Sequence, residues 1–190
     1  RIINPLPNQL KNNFLNPISL FEANTLRMDE LQKTMKTSQG KTVVKSVKRP
    51  VWFDPICNGR TPMCSALKQA HNVLEEWCKN HAKSYPPLLI HITDGLSTDG
   101  DPEPIAQNIK QLATNDGQVL IFNINLSSHG GNELIFPSQK ADLPNSAYAH
   151  QLFRMSSYLP QKMVAIGTDE QLNVSENSRC FAYNVSNINT

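Results

Sequence analysis

The sequence predicts an α/β domain with a doubly wound, mostly parallel sheet. Two nearly continuous apolar runs, Leu88-Leu89-Ile90-His91-Ile92 and Val119 to Ile124, have the form of parallel strands buried on both faces. Each follows a segment of helical periodicity, so the order is helix, strand, helix, strand. Connections of that kind are right-handed crossovers, which makes the two strands parallel and lays the helices over the sheet.

The first forty residues, rich in Asn and Pro, read as an irregular connecting segment with one weak helical stretch from Leu26 to Met35. Residues 41–190 form the α/β domain proper, so the chain is a single domain overall. Thr42 to Val47 alternates as a strand does. From Pro62 to about Ala82, Met63, Ala66, Leu67, Ala70, Val73, Leu74, Trp77 and Cys78 recur at helical steps. Thr61 is suited to cap that helix and Pro62 to its first turn. After Pro86-Pro87 comes the first apolar run, which stops at Thr93-Asp94-Gly95. Asp101-Pro102 opens a second helix with Ile105, Ile109 and Leu112 inward, and Asp116-Gly117 turns the chain into the second run. Ser127 to Pro144 reads as a long loop, Asn145 to Arg154 as a helix with Ala149, Leu152 and Phe153 inward, and Cys180 to Val185 as a last strand. In open parallel sheets ligands sit beyond the carboxyl ends of the strands, which puts Asp94 and the loop Gly95 to Pro102 on the functional rim.

At 190 residues the chain is long enough to bury a core without disulfides. Its 39% hydrophobic content, 18% charged content and net charge of +2 favour neither disorder nor a nucleic-acid partner. The apolar runs are far shorter than the roughly 20 residues that cross a bilayer, so no membrane association is expected. Arg1 to Leu20 lacks the pattern of a signal peptide. Cys57, Cys64, Cys78 and Cys180 are irregularly spaced and read as free thiols in a reducing, cytoplasmic compartment. Sequons at Asn125, Asn173 and Asn184 carry little weight in an Asn-rich chain.

The segments Asn58-Gly59-Arg60-Thr61-Pro62-Met63 and Pro87-Leu88-Leu89-Ile90-His91-Ile92-Thr93-Asp94-Gly95 resemble bacterial von Willebrand factor A domains. The wider match runs through Thr98 to Pro102, Phe122-Asn123 and Leu152 to Pro160, and covers roughly residues 40 to 185. The resemblance implies a Rossmann-like fold and a site for Mg²⁺ or Mn²⁺. That site combines a first-strand Asp-x-Ser-x-Ser motif, a Thr on a later loop and an Asp ending the fourth strand. Thr61 and Asp94 match the last two. No Asp here is followed by Ser at both +2 and +4, so the first-strand half has no counterpart. The simplest account is that an amino-terminal portion bearing that strand is missing, which would leave an exposed strand edge.

Mg²⁺ prefers hard oxygen ligands and keeps several waters, so hydroxyls with one or two carboxylates suffice to hold it. Thr61 and Asp94 are therefore the candidate metal ligands, set against plainer roles as a helix N-cap and a turn residue. Asp99 and Asp101 read as a solvated loop and a helix cap and stay outside the metal site. His91 reads as a hydrogen-bonded core histidine, Trp52 and Trp77 as core anchors, and Ser97 as a hydroxyl without a nucleophile elbow. The expected function is metal-dependent binding of another protein, whose carboxylate would complete the coordination, in a bacterial intracellular system. A structural subunit with an incomplete metal site is the alternative. A metal-dependent hydrolase built on the acidic loop Asp94 to Glu103 is weaker, because no base and nucleophile stand together and no enzyme activity is expected.

Overall fold

The computed structural model describes residues 10, 13–36, 41–54, 59–126 and 132–185. The chain divides into two compact units, Arg1–Gly59 and Arg60–Thr190. In the first, a short helix α1 (Ile18–Ala23) precedes two long strands, β1 (Arg27–Lys36) and β2 (Thr42–Val51), paired antiparallel from Arg27 opposite Val51 to Lys36 opposite Thr42. Trp52 donates its indole N–H to the Phe21 carbonyl at 2.7 Å and meets the Phe21 ring edge-on.

The helical stretch expected at Leu26 to Met35 is thus a strand. Its apolar residues Met28, Leu31 and Met35 fall at helical steps, but its partner lies beyond the local window. Paired with β2, Leu31 stands opposite Val47 and Met35 opposite Val43. Asp29 faces Arg49 and Glu30 faces Lys48, cross-strand pairs that favour this register. The boundary expected between residues 40 and 41 passes between the two strands of this hairpin.

The second unit runs α2 (Met63–Asn80), β3 (Leu88–Thr93), α3 (Glu103–Gln111), β4 (Ala113–Thr114), β5 (Gly117–Gln118), β6 (Leu120–Leu126), β7 (Leu134–Ile135), α4 (Ala147–Met155), α5 (Gln161–Asp169) and β8 (Phe181–Val185). Four strands form one sheet in the order β3-β6-β8-β7. β3 pairs parallel with β6, from Leu88 beside Leu120 to Thr93 beside Asn125, and β6 pairs parallel with β8. The short β7 closes the sheet antiparallel to β8. The parallel pairing and the alternation of helix and strand expected from the sequence are both present.

The core lies on one face of this sheet. Ile121 and Phe181 project from the central strands against Met63 and Leu67 of α2, Ala106 and Ile109 of α3, and Leu152 and Met155 of α4. Leu89 packs against this cluster from β3. On the opposite face Leu88, Ile90 and Ile92 remain 47, 59 and 50% exposed. The expectation that β3 is buried on both faces is therefore corrected. A run of apolar residues identifies a strand but does not say whether it occupies the middle or the edge of a sheet, and β3 is the edge.

Truncation should separate the two faces. Ile121→Ala is expected to cost about 2–5 kcal/mol in urea unfolding, because it opens a cavity in close-packed core. Ile90→Ala is expected to cost less than about 1 kcal/mol, since much of that side chain already meets water. Equal losses at the two positions would show that the outer face is buried after all.

Candidate functional site

β3 delivers Asp94 and Gly95 to the carboxyl end of the sheet, and Thr61 lies just ahead of α2 at the same end. A methyl group placed on Gly95 would sit 3.9 Å from Thr61 Oγ1, so the Thr61 hydroxyl stands against the turn that carries Asp94. The loop is tied to Thr61 by its backbone as well: the Thr61 carbonyl accepts from Thr98 N at 2.9 Å and from Met63 N at 2.8 Å. Thr93 Oγ1 donates to the Gly95 carbonyl at 3.0 Å and accepts from the Tyr148 hydroxyl at 3.2 Å, anchoring the turn to α4. Burial raises the pKa of that phenol, with the hydrogen bond to Thr93 opposing and the negative charge of Asp94 adding to the rise. Asp94 itself is exposed.

The residue that organises the loop is Asp99. One carboxylate oxygen accepts from Cys64 N at 2.9 Å and Ser97 Oγ at 3.0 Å, and the other from Ser65 N at 2.9 Å and Ser65 Oγ at 2.7 Å. It therefore caps the first turn of α2 from 35 residues away, satisfying N–H groups that have no partner inside the helix and placing a negative charge at the positive end of its dipole. Desolvation pushes its pKa up, but these four donors outweigh it and hold the carboxyl far below its ordinary range. The role of N-cap expected for Thr61 is corrected accordingly. Pro62 occupies the cap position, no cap side chain bonds there, and the job falls to Asp99. Asp101 does cap, as expected: its Oδ1 accepts from Glu103 N at 3.0 Å at the start of α3 and from Gln151 Nε2 at 2.9 Å.

Beneath the rim runs a buried polar seam. Asn123, fully buried on β6, donates through Nδ2 to Ser156 Oγ at 2.9 Å and the Leu152 carbonyl at 3.3 Å, and its Oδ1 meets His91 Nδ1 at 2.7 Å. With the amide nitrogen engaged by α4, the oxygen is left to accept, so His91 carries its proton on Nδ1. His91 is thus the hydrogen-bonded histidine that the sequence predicts. Farther along, Asn125 Nδ2 donates to the Thr93 carbonyl at 3.4 Å and Asn125 Oδ1 accepts from Asn184 N at 3.2 Å. Asn125 and Asn184, two of the three sequon positions, are buried.

Ser97 directs its hydroxyl to Asp99 and lies 3.7 Å from Cys64 Sγ, an arrangement that caps a helix rather than activates a nucleophile. Cys64, Cys78 and Cys180 are free and buried, and burial pushes the Cys180 thiol up to about 12. Cys57 and Asn58 lie outside the described residues.

Thr61 and Asp94 offer two hard oxygen donors of the kind Mg²⁺ or Mn²⁺ accepts. Among the described residues no group of three or more His, Cys, Asp or Glu side chains converges on a common point. Asp99, the other carboxylate of this loop, is already committed to α2. No described helix is long and apolar enough to cross a membrane. No family model, curated protein or solved structure matches the chain.

The importance of Asp99 escaped the sequence because three of its four donors, Cys64 N and the N–H and hydroxyl of Ser65, lie far away along the chain. The only local signal was a carboxylate two residues after a serine, in a loop that follows a buried strand.

Two measurements follow from this geometry. Asp99→Ala should lower the melting temperature more than Ser97→Ala, because it strips all four donors of their acceptor while the serine change removes one; equal effects would deny Asp99 its capping role. The second concerns His91, whose pKa is lowered from 6.5 by burial, against the opposing hydrogen bond to Asn123. The unfolded chain takes up this proton first as pH falls. The stability that His91 contributes is therefore complete above pH 6.5 and is lost as pH drops through the lower folded value. Melting temperatures should fall more steeply below pH 6.5 for the parent chain than for His91→Gln, and parallel pH profiles would show that the imidazole is not held neutral.

Proposed function

We propose that this chain is a divalent-metal-dependent protein-binding module of the von Willebrand factor A type, acting in a bacterial cytoplasmic system. The observation that carries the reading is the meeting of the Thr61 hydroxyl with the Asp94-Gly95 turn at the carboxyl end of parallel strand β3. That rim is where open parallel sheets place their ligands. Thr61 and Asp94 would hold Mg²⁺ or Mn²⁺ with water filling most positions, and a carboxylate from the partner protein would displace one water. The metal supplies an electrostatic anchor; the chain supplies its direction, because Asp99 and Thr98 pin the loop to the start of α2.

The edge position of β3 supports the same reading. A strand bearing the Asp-x-Ser-x-Ser half of the site would find unpaired backbone groups along β3 and apolar side chains at Leu88, Ile90 and Ile92 to pack against. The doubly wound form of the fold belongs with that addition. A second reading, a structural subunit with an incomplete metal site, is favoured by the engagement of Asp99 in capping α2, which takes that carboxylate away from any ion at the rim.

Calorimetric titration with Mg²⁺ and Mn²⁺ distinguishes them. The chain as it stands is expected to bind weakly, and a chain supplemented with an Asp-x-Ser-x-Ser strand to bind with an affinity greater by about tenfold or more, each added carboxylate contact adding roughly a charge-assisted bond. Asp94→Ala should abolish binding in both and leave the fold intact. Absence of metal binding in the supplemented chain would favour the structural subunit.

A further inference from the structure

We propose that the cleft between α3, the start of β6 and Arg179 is a binding site for a small oxyanion, a phosphate or carboxylate group. This cleft measures about 290 Å³, and Lys110, Arg179, Gln107, Gln118 and Tyr158 are among the side chains that line it. Among the described residues that line it, none is acidic. It opens at the amino end of β6, the opposite end of the sheet from Asp94, so it is independent of the metal reading.

Two full positive charges converge there on one neutral oxygen. Lys110 Nζ donates to the Arg154 carbonyl at 2.9 Å and to the Ser156 carbonyl at 3.4 Å, while Arg179 Nη1 donates to that same Ser156 carbonyl at 2.9 Å. Carbonyl dipoles orient both cations without neutralising them. The nearby carboxylate, Glu103, is taken by Arg154 in a bidentate pair at 2.8 to 3.0 Å. Arg179 lies with its guanidinium 3.7 Å from the centre of the Tyr158 ring and 5.2 Å from that of Phe153, and its buried Nε finds no acceptor among the described residues. A planar guanidinium fixed by stacking, beside an ammonium, is a pairing suited to oxyanions.

The Lys110 ammonium bears the cost of this crowding. Burial, then the charge of Arg179, bring its pKa down to about 8, with Glu103 opposing. An anion lodged between the two cations would relieve the repulsion and restore the ammonium. The volume suits a phosphate group or small carboxylic acid and falls at the low end for ligand pockets, below what a dinucleotide needs.

The test titrates the full chain with sodium sulfate, phosphate and acetate, with sodium chloride at matched ionic strength as the control, read by amide NMR shifts. Saturable shifts centred on Ser157 and Arg179 are expected with the oxyanions and not with chloride. Lys110→Gln and Arg179→Gln should each weaken binding by about tenfold or more, as loss of a charge-assisted bond does, whereas Asp94→Ala should leave it unchanged. Sulfate keeps its charge across neutral pH, so its affinity should fall as pH rises through about 8 and Lys110 loses its proton. The other charged or titratable groups around it are Arg179, Glu103, Arg154 and Tyr158. Preference for sulfate and phosphate over acetate assigns a phosphate-type ligand, and the reverse a carboxylate. Shifts that chloride reproduces, that map elsewhere, or that survive both glutamine variants would overturn the proposal. Should either variant fail to fold, the location and pH dependence of the shifts in the parent chain decide alone.

Discussion

A carboxamide with no access to water must find partners for both its ends, or the fold loses on the order of 1–3 kcal/mol for each group left bare. Asn123 meets that demand at the middle of the central strand β6, with His91 of β3 on one side and Leu152 and Ser156 at the end of α4 on the other. Slip β3 by one residue along β6 and the imidazole moves to the opposite face, leaving the amide oxygen unpaired in an apolar core. The seam therefore specifies the strand register, and with it the height at which β3 ends and releases Asp94.

What happens at that end is set by a second constraint of the backbone, the N–H groups of a helix start that have no partner inside the helix. α2 has no capping side chain of its own, so it draws Asp99 back onto Cys64 and Ser65. The loop from Gly95 to Asp99 then closes over Thr61, whose carbonyl accepts from Thr98. Helix start and strand end become one structure, and the metal reading depends on that: neither Thr61 nor Asp94 sits in a regular element, yet each is held by one. An ion bound there would be felt by α2 and α4 alike, through Asp99 and through the Tyr148 contact to Thr93.

The two ends of the sheet differ in charge. Asp94, Asp99 and Asp101 lie in the loop that follows β3, and Lys110 and Arg179 line the cleft at the amino end of β6. The small net charge of +2 conceals this asymmetry. Between them the outer face of β3 is apolar, with Leu88, Ile90 and Ile92 about half-exposed and no Lys or Pro along the edge to discourage pairing.

The local pattern alone determined the alternation of helices and strands over residues 62–126, the parallel pairing of Leu88–Thr93 with Leu120–Leu126, and the end of the sheet at which Asp94 and Thr61 lie. These were legible because apolar periodicity and chain connectivity act within a few turns, and because crossovers in parallel sheets have one hand. Tertiary structure alone decided the rest. Whether Leu26 to Met35 is helix or strand depended on the distant residues of β2; whether β3 is interior or edge depended on which strands stand beside it. The cap of α2 came from Asp99, and the convergence of Lys110 and Arg179 brought together residues 69 positions apart (179 − 110). Each of these is a contact between segments that no window of sequence contains together, chosen by the need to satisfy buried backbone groups and bury apolar surface across the whole unit.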